Sequence, residues 1–170
     1  MITVLRLGHR IGRDTRISTH CGLVSRAFGA ERIIYSGERD ESLLNSVSSV
    51  VMNWGGTFLV EYEKNWRKVL RDWKGDIVHL TMYGLRLQDK IGEIREAKKD
   101  LLVVIGGEKV PGEVYQAATW NIGVTNQPHS EVGALSVFLH EYSEGRELEL
   151  DFPGGKRIVP QERGKKVLEE

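Results

Sequence analysis

Two short apolar runs in the second half of the chain, each followed directly by small and polar residues, constrain the fold more than any other feature. They are residues 101–105 and 120–124, within the segment DLLVVIGGEKVPGEVYQAATWNIGVTNQPHSE that extends from Asp100 to Glu131. A continuous apolar run rich in Val and Ile and closed by two glycines is typical of a buried parallel strand. Ligands of open α/β sheets collect beyond the carboxyl ends of the strands. The segment therefore predicts two neighbouring strand-end loops that share one ligand.

The rest of the chain repeats the order strand, then helix. Earlier strands are predicted at residues 2–7, 31–35, 57–62 and 76–80. Helices are predicted from an N-cap at Ser18 or Thr19 to Gly29, from about residue 38 to 54, over residues 66–73, as a charged helix or loop at 88–99, and over 112–119. This alternation predicts an α/β fold with a six-stranded, mostly parallel sheet and helices on both faces.

The last helix, predicted for residues 130–144, is apolar over most of its circumference. Ser130 is a suitable N-cap, Leu139 lies on the main apolar stripe, and Val137 and Phe138 widen that stripe. A helix of this kind is buried on more than one side. We therefore expect a homodimer that forms through this helix.

The end of the chain differs in composition from what precedes it. Two short strands, residues 148–152 and 156–159, flank a Pro-Gly-Gly turn at residues 153–155, which predicts a β-hairpin. We therefore divide the chain into a domain of residues 1–146 and a basic hairpin or tail extension of residues 147–170.

Overall composition is that of an ordinary soluble globular protein. The chain has 170 residues, of which 40% are hydrophobic and 28% charged, as expected for one domain with a substantial core. No apolar run approaches the ~18 residues that a membrane span requires, and the N-terminus lacks the layout of a signal peptide. The single cysteine, Cys21, excludes an internal disulfide and a cysteine-rich zinc site. We expect a cytoplasmic protein that binds no membrane.

Net charge is zero, but positive charge is concentrated at the two ends of the chain. Residues 1–26 contain five arginines and one acidic residue, and residues 154–166 contain five basic residues and one acidic residue. Each segment therefore carries +4, on a body that must be acidic. This distribution indicates either a localised anion-binding face or two solvated ends.

Common cofactor and metal motifs are missing from the sequence. The glycine pair continues as EKVPG, which fits neither the G-x-G-x-x-G turn of a dinucleotide site nor the Gly-Lys-Ser/Thr ending of a P-loop. His79, His129 and His140 are too scattered to predict a metal site, and no metal is expected. His129, in a polar loop, either bonds backbone groups or takes part in catalysis. We do not expect Cys21 to be a nucleophile, a role that needs exposure and a lowered pKa.

Five segments give the chain a specific resemblance. LRLGHRIGRDTRISTH, HLTMYGL, VVIGGEKVPGEVY, NQPHSEVGALSVFL and RIVPQERGKKV closely resemble the archaeal tRNA cytidine-56 2′-O-methyltransferase family, which belongs to the SPOUT methyltransferases. The resemblance extends from Leu5 to about Val167. It implies a six-stranded parallel sheet with a C-terminal trefoil knot, a rare exception to the rule against threaded chains.

The resemblance also implies a cofactor and a reaction. Members of the family are dimers that transfer a methyl group from S-adenosyl-L-methionine to the ribose 2′-hydroxyl of a cytidine in the tRNA T-loop. Three segments would bind the cofactor, and their residues here are Leu80, Gly106, Gly107, Glu108, Lys109, Val110, Val124, Thr125, Asn126, Gln127, Pro128, His129, Ser130 and Glu131. Glycines allow a nucleoside to approach the backbone closely, which suits Gly106 and Gly107.

A ribose hydroxyl is a poor nucleophile, so the enzyme must assist loss of its proton. SPOUT ribose methyltransferases are thought to use an arginine of their first motif, which makes Arg16 the first catalytic candidate and Arg10 the second. The RNA-binding candidates are Arg6, Arg13, Arg26, Lys156, Arg157, Arg163, Lys165 and Lys166, although the first three suit internal ion pairs equally well. Two alternatives remain open: a SPOUT base methyltransferase acting on guanine N1, and a non-catalytic RNA-binding protein on the same scaffold.

Overall fold

A computed structural model describes residues 1–107 and 109–169 and contains one large sheet flanked by helices. The strands of the large sheet are β1 (Ile2–His9), β2 (Arg32–Gly37), β3 (Leu59–Tyr62), β4 (Asp76–Arg86), β5 (Leu101–Gly106) and β6 (Trp120–Gly123). The helices are α1 (Thr15–Ala27), α2 (Glu41–Trp54), α3 (Trp66–Asp72), α4 (Leu87–Glu96), α5 (Gly112–Ala117) and α6 (Glu131–Ser143). A 3₁₀ helix (Arg146–Glu149) and two short strands, β7 (Lys156–Ile158) and β8 (Val167–Glu169), follow.

The large sheet has the strand order β3-β2-β1-β5-β4-β6, and every neighbouring pair is parallel. The predicted six-stranded parallel sheet is therefore confirmed. The chain moves outward from β1 to β3, crosses to β4, and then returns to insert β5 between β1 and β4. This reversal brings the carboxyl ends of β1, β5 and β4 side by side, where ligands of such sheets bind. The trefoil knot stays a prediction, because strand order does not specify how the connections are threaded.

Helices cover both faces of the sheet, as predicted. Successive strand residues point to opposite faces, so Val4 and Leu5 of β1 enter different cores. The larger core contains buried residues of α1, α2, α4 and α6, and the smaller one contains Leu70 of α3 and Val114 of α5. Within the described ranges, no helix is long and apolar enough to cross a membrane.

Helix α6 packs against several elements of the same chain. Ser130 is its N-cap, as predicted, and accepts a hydrogen bond from the Val132 N–H at 3.2 Å. The helix contacts α1, α4 and two strands, and Phe138 and Leu139 are fully buried. Neighbouring helices of the same chain therefore cover much of its wide apolar surface. Val137, which is 43% exposed, remains uncovered.

The predicted start of α1, with Ser18 or Thr19 as N-cap, is wrong. Asp14 holds the N-cap position, and the Ser18 N–H donates to the Asp14 carbonyl at 2.8 Å. The carboxylate of Asp14 does not cap the helix, because it accepts a hydrogen bond from Arg10 Nε at 2.8 Å. As a result, Arg16 lies in the first turn of α1 and not before the helix.

The C-terminal hairpin exists, but its predicted pairing is wrong. Strand β7 pairs antiparallel with β8, not with residues 148–152. The Pro-Gly-Gly segment packs against the end of α2 instead of turning back, since the Gly56 N–H donates to the Pro153 carbonyl at 3.2 Å. The hairpin connection is therefore the longer segment of residues 159–166.

A buried ion pair joins β1 to the first residue of α6. Arg6 is 1% exposed, and its Nη2 lies 3.0 Å from Oε1 of Glu131. Arg6 Nη1 also donates to the Leu7 carbonyl. A buried charge requires a partner, because the cost of removing both ions from water is offset only by close contact and further hydrogen bonds. The pair therefore ties the position of α6 to the central strand.

Replacement of Arg6 by Met should lower the free energy of unfolding by about 3–5 kcal/mol, since it leaves Glu131 without its buried partner. Chemical denaturation monitored by circular dichroism measures the change. Arg67→Met is the matched control, because it breaks the exposed pair between Arg67 and Glu113; it should leave stability almost unchanged. Equal losses in the two variants would show that the buried pair has no special role.

Candidate active site

A cavity of about 310 Å³ lies at the carboxyl end of β5, beside residues 79–83 of β4 and the loop that follows β6. Its volume is at the lower end of the range for small-molecule sites, which begins near 300 Å³. The lining residues are His79, Leu80, Thr81, Met82, Tyr83, Ile105, Gly106, Gly107, Val110, Tyr115, His129, Glu131 and Ala134. We refer to it as the first cavity. Both predicted strand-end loops border it, although β4 lies between β5 and β6 in the sheet, so the two strands are not the neighbours that were expected.

The glycine pair shapes the floor of the first cavity. A Cβ atom on Gly106 would lie 2.7 Å from Val110 Cγ2, so a side chain there would collide with the wall. At Gly107, no such atom lies within 4 Å, and the space above the backbone is open. This arrangement lets a ligand lie directly against the backbone.

His79 lines the first cavity and has one buried ring nitrogen that accepts no hydrogen bond from the described residues. Asn121 donates through Nδ2 to the Tyr115 carbonyl at 2.9 Å, so its Oδ1 accepts from His79 Nδ1 at 2.9 Å. The opposite nitrogen of His79, Nε2, is buried and takes no hydrogen bond from residues 1–107 or 109–169. Burial lowers the pKa of His79 and favours the neutral ring.

The loop after β6 is held against β4 at the mouth of the first cavity. Asn126 Nδ2 donates to the carbonyls of Met82 at 2.6 Å and Gly84 at 3.1 Å. His129 Nδ1 donates to the Gln127 carbonyl at 2.6 Å. His129 was expected either to bond backbone groups or to take part in catalysis, and this contact is a backbone hydrogen bond. Its ring also borders the cavity.

Six predicted cofactor residues line the first cavity: Leu80, Gly106, Gly107, Val110, His129 and Glu131. Lys109 lines the neighbouring cavity described below, and Glu108 lies outside the described residues. Six others in the β6 loop border neither cavity: Val124, Thr125, Asn126, Gln127, Pro128 and Ser130. Sequence reasoning missed His79 as a ligand-facing residue. The one feature of the sequence that could have indicated it is that His79 is a polar residue within an otherwise apolar strand.

A second, larger cavity of about 740 Å³ adjoins the first, and the two share Gly107 and Val110. It lies beyond the carboxyl ends of β1, β2 and β5. The lining residues are Leu7, Gly8, His9, Arg10, Arg13, Ser36, Gly37, Glu38, Lys64, Trp66, Gly107, Lys109, Val110 and Pro111. Four of these side chains are cations, so the second cavity suits an anionic ligand such as an RNA backbone.

The arginine loop, residues 8–14, forms one wall of the second cavity and is held in place at both ends. Gly8 and Gly12 have positive φ angles of 66° and 79°, which other residues rarely adopt. The Ile11 N–H donates to Oε2 of Glu38 at 2.6 Å. Arg10 pairs with Asp14 and holds the pKa of that carboxyl below its usual range.

A buried network at His9 anchors the same loop to two helices. His9 Nε2 donates to Asp40 at 3.3 Å, and the Ser18 hydroxyl donates to His9 Nδ1 at 2.9 Å. Asp40 also accepts from the Leu43 N–H at the start of α2, and this hydrogen bond, followed by that from His9, lowers the pKa of Asp40. Ser18 is fully buried, so the network positions the loop and does not form a nucleophilic triad.

Two predicted RNA-binding arginines are corrected by the structure. Arg6 is buried against Glu131. Arg26 is also buried, donates to the Trp54 and Gly55 carbonyls at 3.0 and 2.8 Å, and lies under the ring of Phe152. Both are internal contacts, which the sequence had left open. A phosphate could not reach Arg6 without displacing Glu131.

The remaining candidates are more accessible. Arg10 and Arg13 line the second cavity, while Arg16 is exposed and lines neither cavity. In the C-terminal extension, Lys156 pairs with Glu169 at 2.8 Å, and Arg157, Arg163, Lys165 and Lys166 are exposed. Cys21 is buried, and burial raises its pKa to about 12, in agreement with the expectation that it is not a nucleophile.

The sequence matches one protein family and closely similar relatives. Residues 54–168 match the family described as tRNA ribose 2′-O-methyltransferase, aTrm56. The tRNA (cytidine(56)-2′-O)-methyltransferase of Thermococcus kodakarensis is 55% identical over 99% of this chain and 97% of its own length. The protein of the same name from Pyrococcus horikoshii is 53% identical over 99% of this chain and 85% of its own length.

Solved structures share the fold at low sequence identity. An RNA 2′-O ribose methyltransferase superimposes with a TM-score of 0.61 and 15% identity over 86% of this chain, which spans 56% of that protein. The SpoU methyltransferase AviRb from Streptomyces viridochromogenes, solved with the cofactor AdoMet, has a TM-score of 0.58 and 13% identity over 86% of this chain and 57% of its own. At these identities the likeness concerns the fold.

Proposed function

Because this chain belongs to the tRNA ribose 2′-O-methyltransferase family, we propose that its first cavity holds S-adenosyl-L-methionine and its second receives the target nucleotide of tRNA. Membership of the family also makes the chain an S-adenosylmethionine-dependent enzyme that methylates the ribose of cytidine 56. This excludes the guanine N1 and non-catalytic alternatives. A tRNA substrate is consistent with a cytoplasmic location.

The two adjoining cavities are the observation that carries this proposal. One is small, lined by the glycine pair and bordered by a buried, unpaired acceptor on His79. The other is larger and cationic. They meet at Gly107 and Val110, so a donor in the first and an acceptor in the second would be adjacent there. Holding two reactants next to each other is a large part of catalysis.

We assign the cofactor to the predicted loop residues that line the first cavity, together with His79. S-adenosylmethionine, when bound, supplies an electrophilic methyl group on its sulfonium. Gly106 and Gly107 would admit the nucleoside to the backbone. The remaining residues of the β6 loop would hold the loop closed over the cavity through the bonds of Asn126 to β4.

We propose that Arg16 acts on the ribose hydroxyl of a tRNA that is bound in the cavities of the partner subunit. It lines neither cavity of its own chain. However, α1, which carries Arg16, packs against α6, whose first residue, Glu131, borders the first cavity. The exposed surface of α6 includes Gly133 and Val137, one turn apart, which allow close packing by a second copy. A homodimer through α6 would place α1 of one subunit near the cavities of the other.

Arg10 is proposed to assist from within the chain. It lines the second cavity, and its pairing with Asp14 holds the guanidinium in one orientation. A guanidinium near the hydroxyl would stabilise the alkoxide that develops as the proton leaves. Together, Arg10 and Arg16 would supply the positive charge that the reaction needs.

The extension, residues 147–170, is proposed to bind the tRNA backbone. Its exposed cations Arg157, Arg163, Lys165 and Lys166 lie on and beside the hairpin, away from the buried core. Contacts of this kind fix the position of an RNA without reading its sequence. With the second cavity, they would give the enzyme two separate contact areas on one tRNA.

The enzyme should transfer methyl groups to an unmodified tRNA transcript and give 2′-O-methylcytidine at position 56, measured by nucleoside analysis after digestion. The matched control is the same tRNA with 2′-deoxycytidine at that position, which lacks the acceptor hydroxyl and should take up no methyl group. Methylation of the deoxy control, or recovery of a methylated base, would contradict ribose methylation.

Subunit mixing should show that Arg16 acts across the dimer. Arg16→Ala should be inactive, and so should Gly107→Phe, whose side chain would fill the shared edge of the cavities. Co-expressed, the two variants form mixed dimers in which one site has an intact cavity and the partner's Arg16. Random assortment would restore about a quarter of wild-type activity.

The methyl-transfer rate of the purified mixture decides between the two arrangements. If Arg16 served its own subunit, the mixture would be as inactive as each variant alone. An active Arg16→Ala homodimer would remove Arg16 from the mechanism. Arg71→Ala, which replaces an exposed arginine on α3, is the control and should keep full activity.

Binding of tRNA should depend on salt in proportion to the phosphate contacts made by the extension. The double variant Lys165→Ala/Lys166→Ala should reduce the slope of log K against log salt by about two. The matched control is Lys74→Ala/Lys98→Ala. Both lysines are exposed and precede β4 and β5, at the amino ends of the strands and away from the two cavities. Filter binding at several salt concentrations measures both slopes. Equal slopes in the two double variants would contradict the assignment.

A further inference from the structure

The second cavity contains a group that can distinguish cytosine from uracil. All four ribonucleosides carry the same 2′-hydroxyl, so the reaction itself gives no preference for cytidine. The preference must come from the shape of the tRNA or from a contact with the edge of the base. Such a contact rests on the proposed function, in which the target nucleotide enters the second cavity.

Glu38 lies at the correct side of the second cavity for a base contact. It follows β2, whose last residue Gly37 pairs with His9 of β1, while Leu7 of β1 pairs with Gly106 of β5. The ends of β2 and β5 are therefore two strand spacings apart, about 10 Å. The shared edge of the cavities at Gly107 holds the reacting ribose in our proposal, so the base of the same nucleotide would extend toward Glu38.

The carboxylate of Glu38 is held in place with one oxygen available. Oε2 accepts the Ile11 N–H at 2.6 Å, which fixes the side chain against the arginine loop. Oε1 accepts no hydrogen bond from the part of the chain that the structure describes. Glu38 is also the only carboxylate among the described residues that line the second cavity. An ionised carboxylate is an acceptor and never a donor.

Other polar groups of the second cavity are less suited to this role. Ser36 donates its hydroxyl to the Lys64 carbonyl at 3.3 Å, and both ring nitrogens of His9 are engaged. The cations are donors only and suit phosphate oxygens. Ser36 is also almost fully buried, so Glu38 provides the exposed side-chain acceptor among the described residues of the cavity.

We propose that Glu38 selects cytidine at the methylated position by accepting a hydrogen bond from the exocyclic amino group of cytosine. Uracil carries a carbonyl oxygen at the corresponding position, so it would place one acceptor against another. A site whose polar group is left unpaired rejects the wrong substrate strongly. Glu38 would thus act as a specificity residue that has no part in the methyl transfer.

The test compares two tRNA transcripts that differ only in cytidine or uridine at position 56. The wild-type enzyme should methylate the cytidine transcript faster by roughly tenfold or more. In Glu38→Gln, the amide oxygen can keep the bond to the Ile11 N–H, which turns the amino group toward the base. That group can donate to uracil but cannot accept from cytosine. The preference for cytidine should therefore be lost or turn toward uridine. Glu61→Gln, on the exposed strand β3, is the matched control and should keep the wild-type preference.

Each outcome is decisive. An unchanged preference in an active Glu38→Gln enzyme, or equal rates on the two transcripts by the wild type, would overturn the proposal. If the wild type methylates neither transcript, the proposed function itself fails, a distinct result. If Glu38→Gln is inactive, the dissociation constants of the two transcripts measure the same preference, and an unchanged ratio would again overturn the role of Glu38.

Discussion

The buried pair of Arg6 and Glu131 is the interaction on which the rest of the structure depends. Arg6 is a buried charged side chain in a central strand of the sheet. The cost of burying this charge is offset only when a carboxylate lies within contact distance of the guanidinium. That carboxylate comes from the first residue of α6, 125 positions later in the chain. The pair therefore fixes where the last helix begins, and with it the loop that closes the first cavity. A hydrophobic pair at the same place would allow α6 to shift along its axis.

The local hydrophobic pattern of the sequence was sufficient to predict the strands and helices, but not where each begins or which strands of the hairpin pair. All six strands of the large sheet were predictable from short apolar runs closed by Gly or polar residues. The start of α1 was not predictable in this way. Asp14 is the N-cap residue, but its carboxylate accepts a hydrogen bond from Arg10 and makes no capping hydrogen bond to the helix. The partner of β7 was missed for a related reason. The Pro-Gly-Gly segment has the sequence of a hairpin turn, but its backbone packs on the glycines that end α2, a contact between distant residues.

The same division applies to the site. The glycine pair and the β6 loop were predicted because each is a continuous segment with its own composition. The second cavity was not, since it is assembled from residues such as Gly8, Ser36, Lys64 and Trp66, which come from separate strand ends and form no motif. Which arginines are buried also required the fold. Arg6 and Arg26 have the same chemistry as the exposed arginines, and only packing shows that they are used internally.

The insertion of β5 between β1 and β4 has a consequence for how the chain folds during synthesis. Until residues 101–106 have left the ribosome, β4 has no neighbour in the sheet and β1 has one open edge. Open strand edges invite pairing with other chains. The first three strands can assemble early, but the half that carries the cofactor loops must wait for β5 and β6. A truncated or half-made chain would therefore lack the first cavity altogether, so the proposed methyl-donor site and the completed sheet arise in one step.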